Sequence, residues 1–346
     1  MPDEARSAGS APFPAGPVAV VGVPSRRVHD PGLTEEAAAA ASSALHTVGL
    51  TKRYGDVEAL VDLSMTVPRG EVFGFLGPNG AGKTTSVKLL LGLARPTSGH
   101  AWVLGAPLGD QSTRRHIGYL PELFRYQGWL QAAEVLKLHC ELAQLPRPTW
   151  KHEIEYALST VGLSDRGDDR VANFSKGMQQ RLGLGVALLG SPHMVFLDEP
   201  TSALDPVGRR DVREIIRHMK ARGTTVFLNS HLLTEVEAVC DRVAIVDHGS
   251  VIATGTLDDL LASKVGVRLR VSGLDAAGIQ VLSRFGAVSE GDGWLSIEGA
   301  GPEVVPDIVA EAVSRGARVY AVEPRHESLE DRFMELLGGN HVELEA

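Results

Sequence analysis

The stretch Gly77-Pro78-Asn79-Gly80-Ala81-Gly82-Lys83-Thr84-Thr85 decides the fold of this chain, because it fits the phosphate-loop pattern Gly-x-x-x-x-Gly-Lys-Ser/Thr. That pattern binds phosphate only between a strand and a helix. Residues 70–76 are typical of a buried strand, and a helix is expected from near Lys83 to Leu93. The glycines let successive backbone N–H groups turn inward, and the helix directs its positive end at the same anion. The sequence therefore predicts an α/β fold with a polyphosphate site.

The side chains of this loop predict how the polyphosphate is held. All nine residues of the stretch are expected to contact the nucleotide, with Lys83 reaching the β- and γ-phosphates. The hydroxyl of Thr84 is placed to ligate the Mg²⁺ ion that bridges those phosphates. A chance match to the pattern is the alternative, and the flanking strand and helix argue against it.

Charge and composition exclude several classes of protein. The formal net charge of −9 and the pI near 5.8 argue against nucleic-acid binding, which needs clustered Lys and Arg. Cys140 and Cys240 fall in apolar helical patterns, so we expect no disulfide framework and a reducing cytoplasm. No run reaches the ~18 apolar residues of a membrane helix, and the N-terminus lacks the pattern of a secretion signal. We therefore expect a chain that neither spans a bilayer nor is secreted.

Residues 1–45 are rich in Ala, Pro, Ser and Gly, and they contain too few apolar residues to fold alone. We expect a disordered extension with at most one short helix; the alternative is an arm that docks on a partner. Order is predicted to begin near His46, with two strands joined by a turn. Tyr54 is a candidate for stacking on an adenine base, although simple packing is the commoner role of such a tyrosine.

Between Gln131 and Gly190 the apolar residues recur at helical spacing, which predicts an all-helical insertion. Ser175 and Gly177 stand where its last helix starts. A hydroxyl group and a backbone N–H can bind an anion at that position. An ordinary N-cap explains the same residues, so the pattern alone leaves both interpretations open.

Acidic residues and a histidine follow three of the predicted strands. Glu122 follows residues 117–120, Asp198 and Glu199 end the strand that starts at Met194, and His231 follows the strand that ends at Asn229. Ligands of α/β sheets bind at the carboxyl ends of the strands. There Asp198 suits Mg²⁺, Glu199 suits activation of a water molecule, and a histidine can bond the γ-phosphate. Alone, the Glu122 and His231 side chains would be ordinary solvated groups.

Together these residues resemble the nucleotide-binding domain of ABC transporters over about residues 46 to 260. The ordered motifs that carry the resemblance are the phosphate loop at 77–84, the signature at 174–178, Asp198-Glu199, the loop Ser202-Ala203-Leu204-Asp205, and His231. The resemblance implies a P-loop NTPase core in residues 46–264, with an N-terminal antiparallel β-subdomain and an inserted α-helical subdomain at about 123–190. It also implies that two such domains meet head to tail around two ATP molecules.

The resemblance further implies a role for each site residue. In hydrolysis, Glu199 would be the general base, His231 the γ-phosphate sensor and Lys83 a phosphate ligand. The other expected roles are adenine stacking for Tyr54, Mg²⁺ coordination for Thr84, Asp198 and Glu122, an interface contact for Asp205, and binding of the partner's ATP for Ser175 and Gly177.

Two motifs depart from the usual pattern of that family. Glu122 stands where a glutamine usually links the metal site to the membrane partner, and its carboxylate can still coordinate Mg²⁺. The signature has Lys176 and Met178 in place of a glycine and a glutamine. Both variants resemble those of the single-cassette exporters that handle antibiotics and lipids. Activity is still expected, because Ser175, Gly177 and the acidic pair remain.

Residues 265–346 predict a small α/β accessory domain with a dimerisation or regulatory role; a small-ligand sensor is the alternative. The predicted strands are 265–271, 293–297 and 318–322, and the predicted helices are 276–285, 302–315 and 328–337. The closing helix carries Leu329, Phe333, Leu336 and Leu337 on one face.

The sequence thus predicts the ATP-hydrolysing subunit of an ABC transporter, of the exporter type, at the cytoplasmic face of the membrane. A separate transmembrane permease and a second ATPase subunit are the expected partners. The alternative is a soluble non-transport ABC ATPase, or a nucleotide-gated regulatory protein. Soluble ABC ATPases that act on ribosomes are typified by two cassettes in one chain, and those that act on DNA carry coiled-coil or cysteine-rich insertions. This sequence has neither feature. The permease selects the cargo, so this chain does not identify it.

Overall fold

The computed structural model describes residues 31–202, 204–261, 266–291, 293–325 and 328–342. An antiparallel sheet leads the fold and contains β1 (Ser43–Tyr54), β2 (Val57–Pro68), β4 (Ser98–Val103) and β5 (Ala106–Pro107). Its strand order is β2-β1-β4-β5. This sheet is the predicted N-terminal β-subdomain.

A six-stranded sheet forms the centre of the molecule. Its members are β3 (Val72–Leu76), β6 (Ile117–Leu120), β7 (Met194–Asp198), β8 (Thr225–Asn229), β9 (Arg242–Asp247) and β10 (Ser250–Thr256). The order is β10-β9-β3-β8-β7-β6, and only β10 runs antiparallel to its neighbour. Every residue of β3, β7 and β8 is buried, which explains why these strands are almost continuous apolar runs.

Apolar layers cover both faces of the central sheet. On one face Phe227 lies with its ring centroid 5.2 Å from those of Phe75 and Phe196, and this cluster joins the antiparallel sheet. On the other face the alternate residues of the strands pack against helices. The helices up to residue 261 are α1 (Pro31–Ser42), α2 (Lys83–Leu90), α3 (Gln111–Arg114), α4 (Ala132–Leu142), α5 (Trp150–Thr160), α6 (Lys176–Leu188), α7 (Pro206–Ala221), α8 (Leu233–Val239) and α9 (Leu257–Leu261). The predicted helical insertion corresponds to α4, α5 and α6.

In the described part of the chain, regular structure begins at Pro31, before the start near His46 that the sequence predicts. Residues 1–30 of the expected extension lie outside the described residues. Within residues 31–45, the alanine-rich segment forms α1, and β1 begins at Ser43 rather than at His46. Alanine has the highest helix propensity, and Ala40, Ala44 and Leu45 are buried. Packing against the sheet therefore stabilises a segment that could not fold alone.

The accessory segment forms a third sheet with two helices. Its elements are β11 (Gly266–Ser272), α10 (Ala276–Leu282), β12 (Ala287–Gly291), β13 (Trp294–Glu298), α11 (Val305–Ser314) and β14 (Arg318–Arg325). The order β12-β13-β11-β14 is antiparallel throughout. Strand β12 was not predicted, because only Val288 is even partly buried in it and no apolar alternation marks it. The predicted domain boundary after Lys264 lies outside the described residues.

The last helix, α12 (Leu329–Val342), which the sequence analysis assigned to the accessory domain, packs against the core around the central sheet. Leu329 is fully buried in the core beneath the central sheet, and Phe333 and Leu336 pack against that same core. Among the described residues, α12 contacts α8 and α9 most extensively. Three of the four residues predicted on the apolar face of α12 thus pack on the ATPase core, and no described residue of α12 belongs to the apolar cluster of the accessory sheet.

Candidate functional site

The strand order brings the predicted motifs together. In the central sheet β3, β8 and β7 are consecutive and parallel, so the segments that follow them lie at one edge. The phosphate loop follows β3. Asp198 is the last residue of β7 and Glu199 comes directly after it, and His231 follows β8. Loops at the carboxyl ends of parallel strands form the ligand sites of such sheets. The predicted residues therefore converge for a topological reason.

Two glycines of the phosphate loop lie too close to neighbouring backbone to carry a side chain. A Cβ atom on Gly77 would stand 2.3 Å from the carbonyl oxygen of Val246. A Cβ atom on Gly82 would stand 2.3 Å from the carbonyl oxygen of Ala59, and Gly82 has φ +93° at the N-cap of α2. Glycine is required at both positions, and it leaves the N-terminus of α2 open to an anion.

Lys83 is buried inside this loop. Its Nζ donates hydrogen bonds to the carbonyl oxygens of Gly77, at 2.7 Å, and Pro78, at 3.1 Å. Burial lowers the pKa of the Lys83 ammonium group, while the carboxylates of Glu199 and Asp198 act in the opposite direction. The loop thus holds a positive charge at the position where the sequence predicts the β- and γ-phosphates.

Asp198 is 2% exposed and accepts a hydrogen bond from Nδ2 of Asn229. Burial raises the pKa of Asp198, and the nearby carboxylates of Glu122 and Glu199 raise it further. The Asn229 hydrogen bond and the charge of Lys83 lower it. Asn229 was not among the predicted site residues. Its only sequence signal is a polar side chain at the end of an apolar strand, directly before Ser230.

Glu199 has an unusual backbone conformation for a residue that is not glycine, with φ +52°. Its N–H donates to the carbonyl oxygen of Asn229 at 2.9 Å, which fixes the turn after β7. Its Oε2 lies 2.7 Å from Nδ1 of His231. A residue keeps such a strained conformation only where the surrounding structure holds it in place. Strained residues of this kind cluster at functional sites.

One cavity brings together seven of the predicted site residues, with Asn229 as an eighth lining residue. It is lined by Asn79, Lys83, Thr84, Glu122, Asp198, Glu199, Asn229 and His231. Thr84 and Glu122 are exposed, whereas Asp198 and Glu199 are buried. The arrangement places one buried cation, three carboxylates, a hydroxyl and an imidazole around one space, which suits binding and hydrolysis of a phosphate chain.

The remaining predicted residues do not line this cavity. Ser175 caps α6, with Oγ 3.2 Å from the N–H of Met178, and Asp205 caps α7, with Oδ1 2.7 Å from the N–H of Gly208. The N-cap interpretation of Ser175 is thus correct. Both side chains are exposed and available to a partner. Ala203, in the loop before Asp205, lies outside the described residues.

Tyr54 ends β1 and is 49% exposed. Nζ of Lys52 lies 4.7 Å from the centroid of its ring. One face of the ring therefore has a cationic neighbour, and the ring is accessible enough to stack on a base.

The donor atoms of the cavity fit a magnesium ion that is also held by phosphate. Within the described ranges, no group of three or more His, Cys, Asp or Glu side chains is arranged to bind a metal alone. Mg²⁺ is usually bound by one or two carboxylates together with substrate phosphates and water. Thr84, Asp198 and Glu122 share the cavity and provide such a partial set of oxygen ligands.

No described helix combines the length and the apolar character that crossing a lipid bilayer requires.

Comparison with known proteins agrees with this geometry. The family described as ABC transporter matches residues 60–202. An uncharacterized ABC transporter ATP-binding protein of Nostoc sp. is 42% identical, over 80% of this chain and 83% of that protein. The daunorubicin resistance ATP-binding protein DrrA3 of Streptomyces coeruleorubidus is 35% identical, over 88% and 99% respectively.

The fold is also similar to that of a solved ATP-binding subunit of an ABC transporter. The TM-score is 0.58 at 33% identity, and the match covers 63% of this chain and 92% of the other. The soluble or purely regulatory alternatives are not favoured, because a relative named as an ABC transporter ATP-binding protein matches along most of the chain. The chain therefore belongs to the ATP-binding subunits of ABC transporters, which bind and hydrolyse ATP to drive transport.

Proposed function

We propose that this chain powers an exporter, as one of two copies that pair head to tail and dock on a separate transmembrane permease at the cytoplasmic face of the membrane. The observation that carries the proposal is the cavity that collects Lys83, Glu199 and His231 at the ends of three adjacent strands. Relatives named for drug resistance, such as DrrA3 and the linearmycin resistance protein LnrL of Bacillus subtilis, support the exporter direction.

The proposed chemistry is attack of a water molecule on the γ-phosphate. Glu199 accepts a proton from that water, the new P–O bond forms, and the bond to the β-phosphate oxygen breaks, so that ADP and phosphate leave. Lys83 binds the phosphate oxygens, and His231 donates a hydrogen bond to the γ-phosphate. Thr84, Asp198 and Glu122 would hold Mg²⁺, which supplies positive charge to the phosphates when it is bound.

Each chain is proposed to supply only half of the complete ATP site. Ser175, Gly177 and Asp205 lie outside the cavity, and the two capping side chains are exposed at the starts of α6 and α7. In a head-to-tail pair these residues of one copy would close over the ATP of the other, with Tyr54 stacked on its adenine. Closure on ATP and opening after hydrolysis would then move the permease.

The test uses Glu199→Gln, which keeps the shape of the side chain but removes the base. With ATP and Mg²⁺ we expect a stable dimer by light scattering and a large loss of phosphate release, while ATP affinity stays close to that of the wild type. The wild type with ADP serves as the monomer control. Wild-type turnover in Glu199→Gln, or a strictly monomeric variant both alone and with the permease in membranes, would contradict the proposal.

A further inference from the structure

Asn229 contacts both acids of the site. It lies directly opposite Asp198 in the parallel pairing of β7 and β8, and it is 1% exposed. Its Nδ2 donates to Oδ1 of Asp198, and its carbonyl oxygen accepts the N–H of Glu199 at 2.9 Å. One residue therefore fixes the side chain of the first acid and the main chain of the second.

The orientation of the Asn229 amide follows from this contact. An ionised carboxylate only accepts hydrogen bonds, so the NH₂ group must face Asp198 and Oδ1 must point away from it. Oδ1 is buried and has no hydrogen-bond partner in the described part of the protein. A buried acceptor without a partner costs stability, and an apolar side chain of the same size would avoid that cost. An apolar side chain would also remove the side-chain donor from the buried Asp198 carboxylate, so the specific contribution of Asn229 is that donor.

The other charged neighbours act on the Asp198 carboxylate only through their charge, attractive from Lys83 and repulsive from the two acids. Nζ of Lys83 is bound to the loop carbonyls of Gly77 and Pro78, and Glu122 and Glu199 are acids that repel it. Among the described side chains, Asn229 alone donates a hydrogen bond to the Asp198 carboxylate. Without that bond, repulsion by the two acids would turn the Asp198 carboxylate away from its present orientation.

We propose that Asn229 is a positioning residue, which holds the Asp198 carboxylate in the orientation that receives a divalent cation bound to the nucleotide. The inference rests on the proposed function, because it requires Asp198 to face that cation. Hydrogen-bond partners of ligating carboxylates fix the direction of the ligand, and their loss typically costs about 10- to 100-fold in metal affinity or activity. Asn229 acts through Asp198 and does not contact the substrate itself.

The decisive variant is Asn229→Leu, which keeps the approximate shape and removes both the donor and the unpartnered oxygen. Affinity for a non-hydrolysable ATP analogue is measured by calorimetry with Mg²⁺ and again with EDTA. We expect the affinity in EDTA to stay within about twofold of the wild type, and the gain produced by Mg²⁺ to fall about tenfold or more. Asn229→Ser, which retains a hydroxyl donor, should recover part of that gain.

Ser230→Ala provides the matched control. Ser230 is the adjacent residue and is 1% exposed, and its Oγ accepts a hydrogen bond from the N–H of Leu232, whereas the described side-chain donor to Asp198 is Asn229. Its loss should lower thermal stability and leave the Mg²⁺ effect unchanged. A merely structural role of Asn229 would affect stability in the same way and would not change the Mg²⁺ effect.

A wild-type Mg²⁺ effect in folded Asn229→Leu would overturn the inference. Should that variant fail to fold, Asn229→Ala is judged by the same criterion. The inference and the proposed function fail separately: if Glu199→Gln behaves as expected while the Asn229 variants keep the Mg²⁺ effect, only the inference is wrong. Normal hydrolysis by Glu199→Gln would instead refute the proposed function.

Discussion

Nδ1 of His231 lies 2.7 Å from Oε2 of Glu199, so the side chains that follow β8 and β7 meet in the lining of the cavity. The Glu199 side chain is 9% exposed and that of His231 is 52% exposed. The carboxylate of Glu199 is thus buried, while the imidazole of His231 reaches solvent. A γ-phosphate that accepts a hydrogen bond from His231 would compete with this contact and leave Glu199 free to act on water.

The first prediction concerns His231→Ala. We expect phosphate release to fall about tenfold or more, because the proposed hydrogen bond to the γ-phosphate would be lost, with little change in ATP affinity. Steady-state phosphate release and a binding titration measure the two quantities. His218→Ala is the control, since His218 is bonded instead to Tyr156 at 3.1 Å, near the far end of α7. Equal turnover in the two variants would contradict a role for His231.

The second prediction concerns Lys83→Ala. Lys83 is the buried cation of the phosphate loop, so its removal should weaken ATP binding about 100-fold or more, equivalent to about 2.7 kcal/mol. Calorimetry with a non-hydrolysable analogue measures this loss. Lys88→Ala provides the control, because Lys88 lies on the same helix but is exposed in its last turn. Unchanged affinity in Lys83→Ala would remove Lys83 from the phosphate site.

The third prediction compares two glycines of the same loop. Gly80 and Gly82 both have positive φ, +88° and +93°, but a Cβ atom on Gly80 meets nothing within 4 Å, whereas one on Gly82 would clash with Ala59. Gly80→Ala should cost only the backbone strain, on the order of 1–3 kcal/mol. Gly82→Ala should cost clearly more and also weaken ATP binding. Urea unfolding measures the difference, and equal costs would show that the loop moves freely away from β2.

Local patterns explain what could be predicted from the sequence. Short motifs and the ends of apolar strands predict three features of the site: the phosphate loop, the pair Asp198-Glu199, and the capping residue Ser175. Parallel pairing of β3, β8 and β7 then brings the first two of these together without further information.

Contacts between distant segments explain what could not be predicted. Asn229 becomes a site residue only because β7 and β8 pair in one register. The partner of α12 depends on where the chain returns after the accessory sheet, and periodicity shows an apolar face without showing what covers it. Strand β12 is recruited by pairing with β13 although its own residues are mostly exposed.

The last prediction tests the docking of α12 on the ATPase core. Leu329 is fully buried against that core, so Leu329→Ala should lower the free energy of unfolding by about 2–5 kcal/mol, through lost burial and the cavity left behind. Met334→Ala on the same helix is the control, because Met334 is 64% exposed and its truncation should change stability by less than about 0.5 kcal/mol. Urea unfolding compares the two variants. Helix α12 packs on α8, and α8 begins two residues after His231. If this contact positions the histidine, folded Leu329→Ala protein should also show an altered rate of ATP turnover. Equal, small losses of stability in both variants would mean that α12 does not dock on the core in solution.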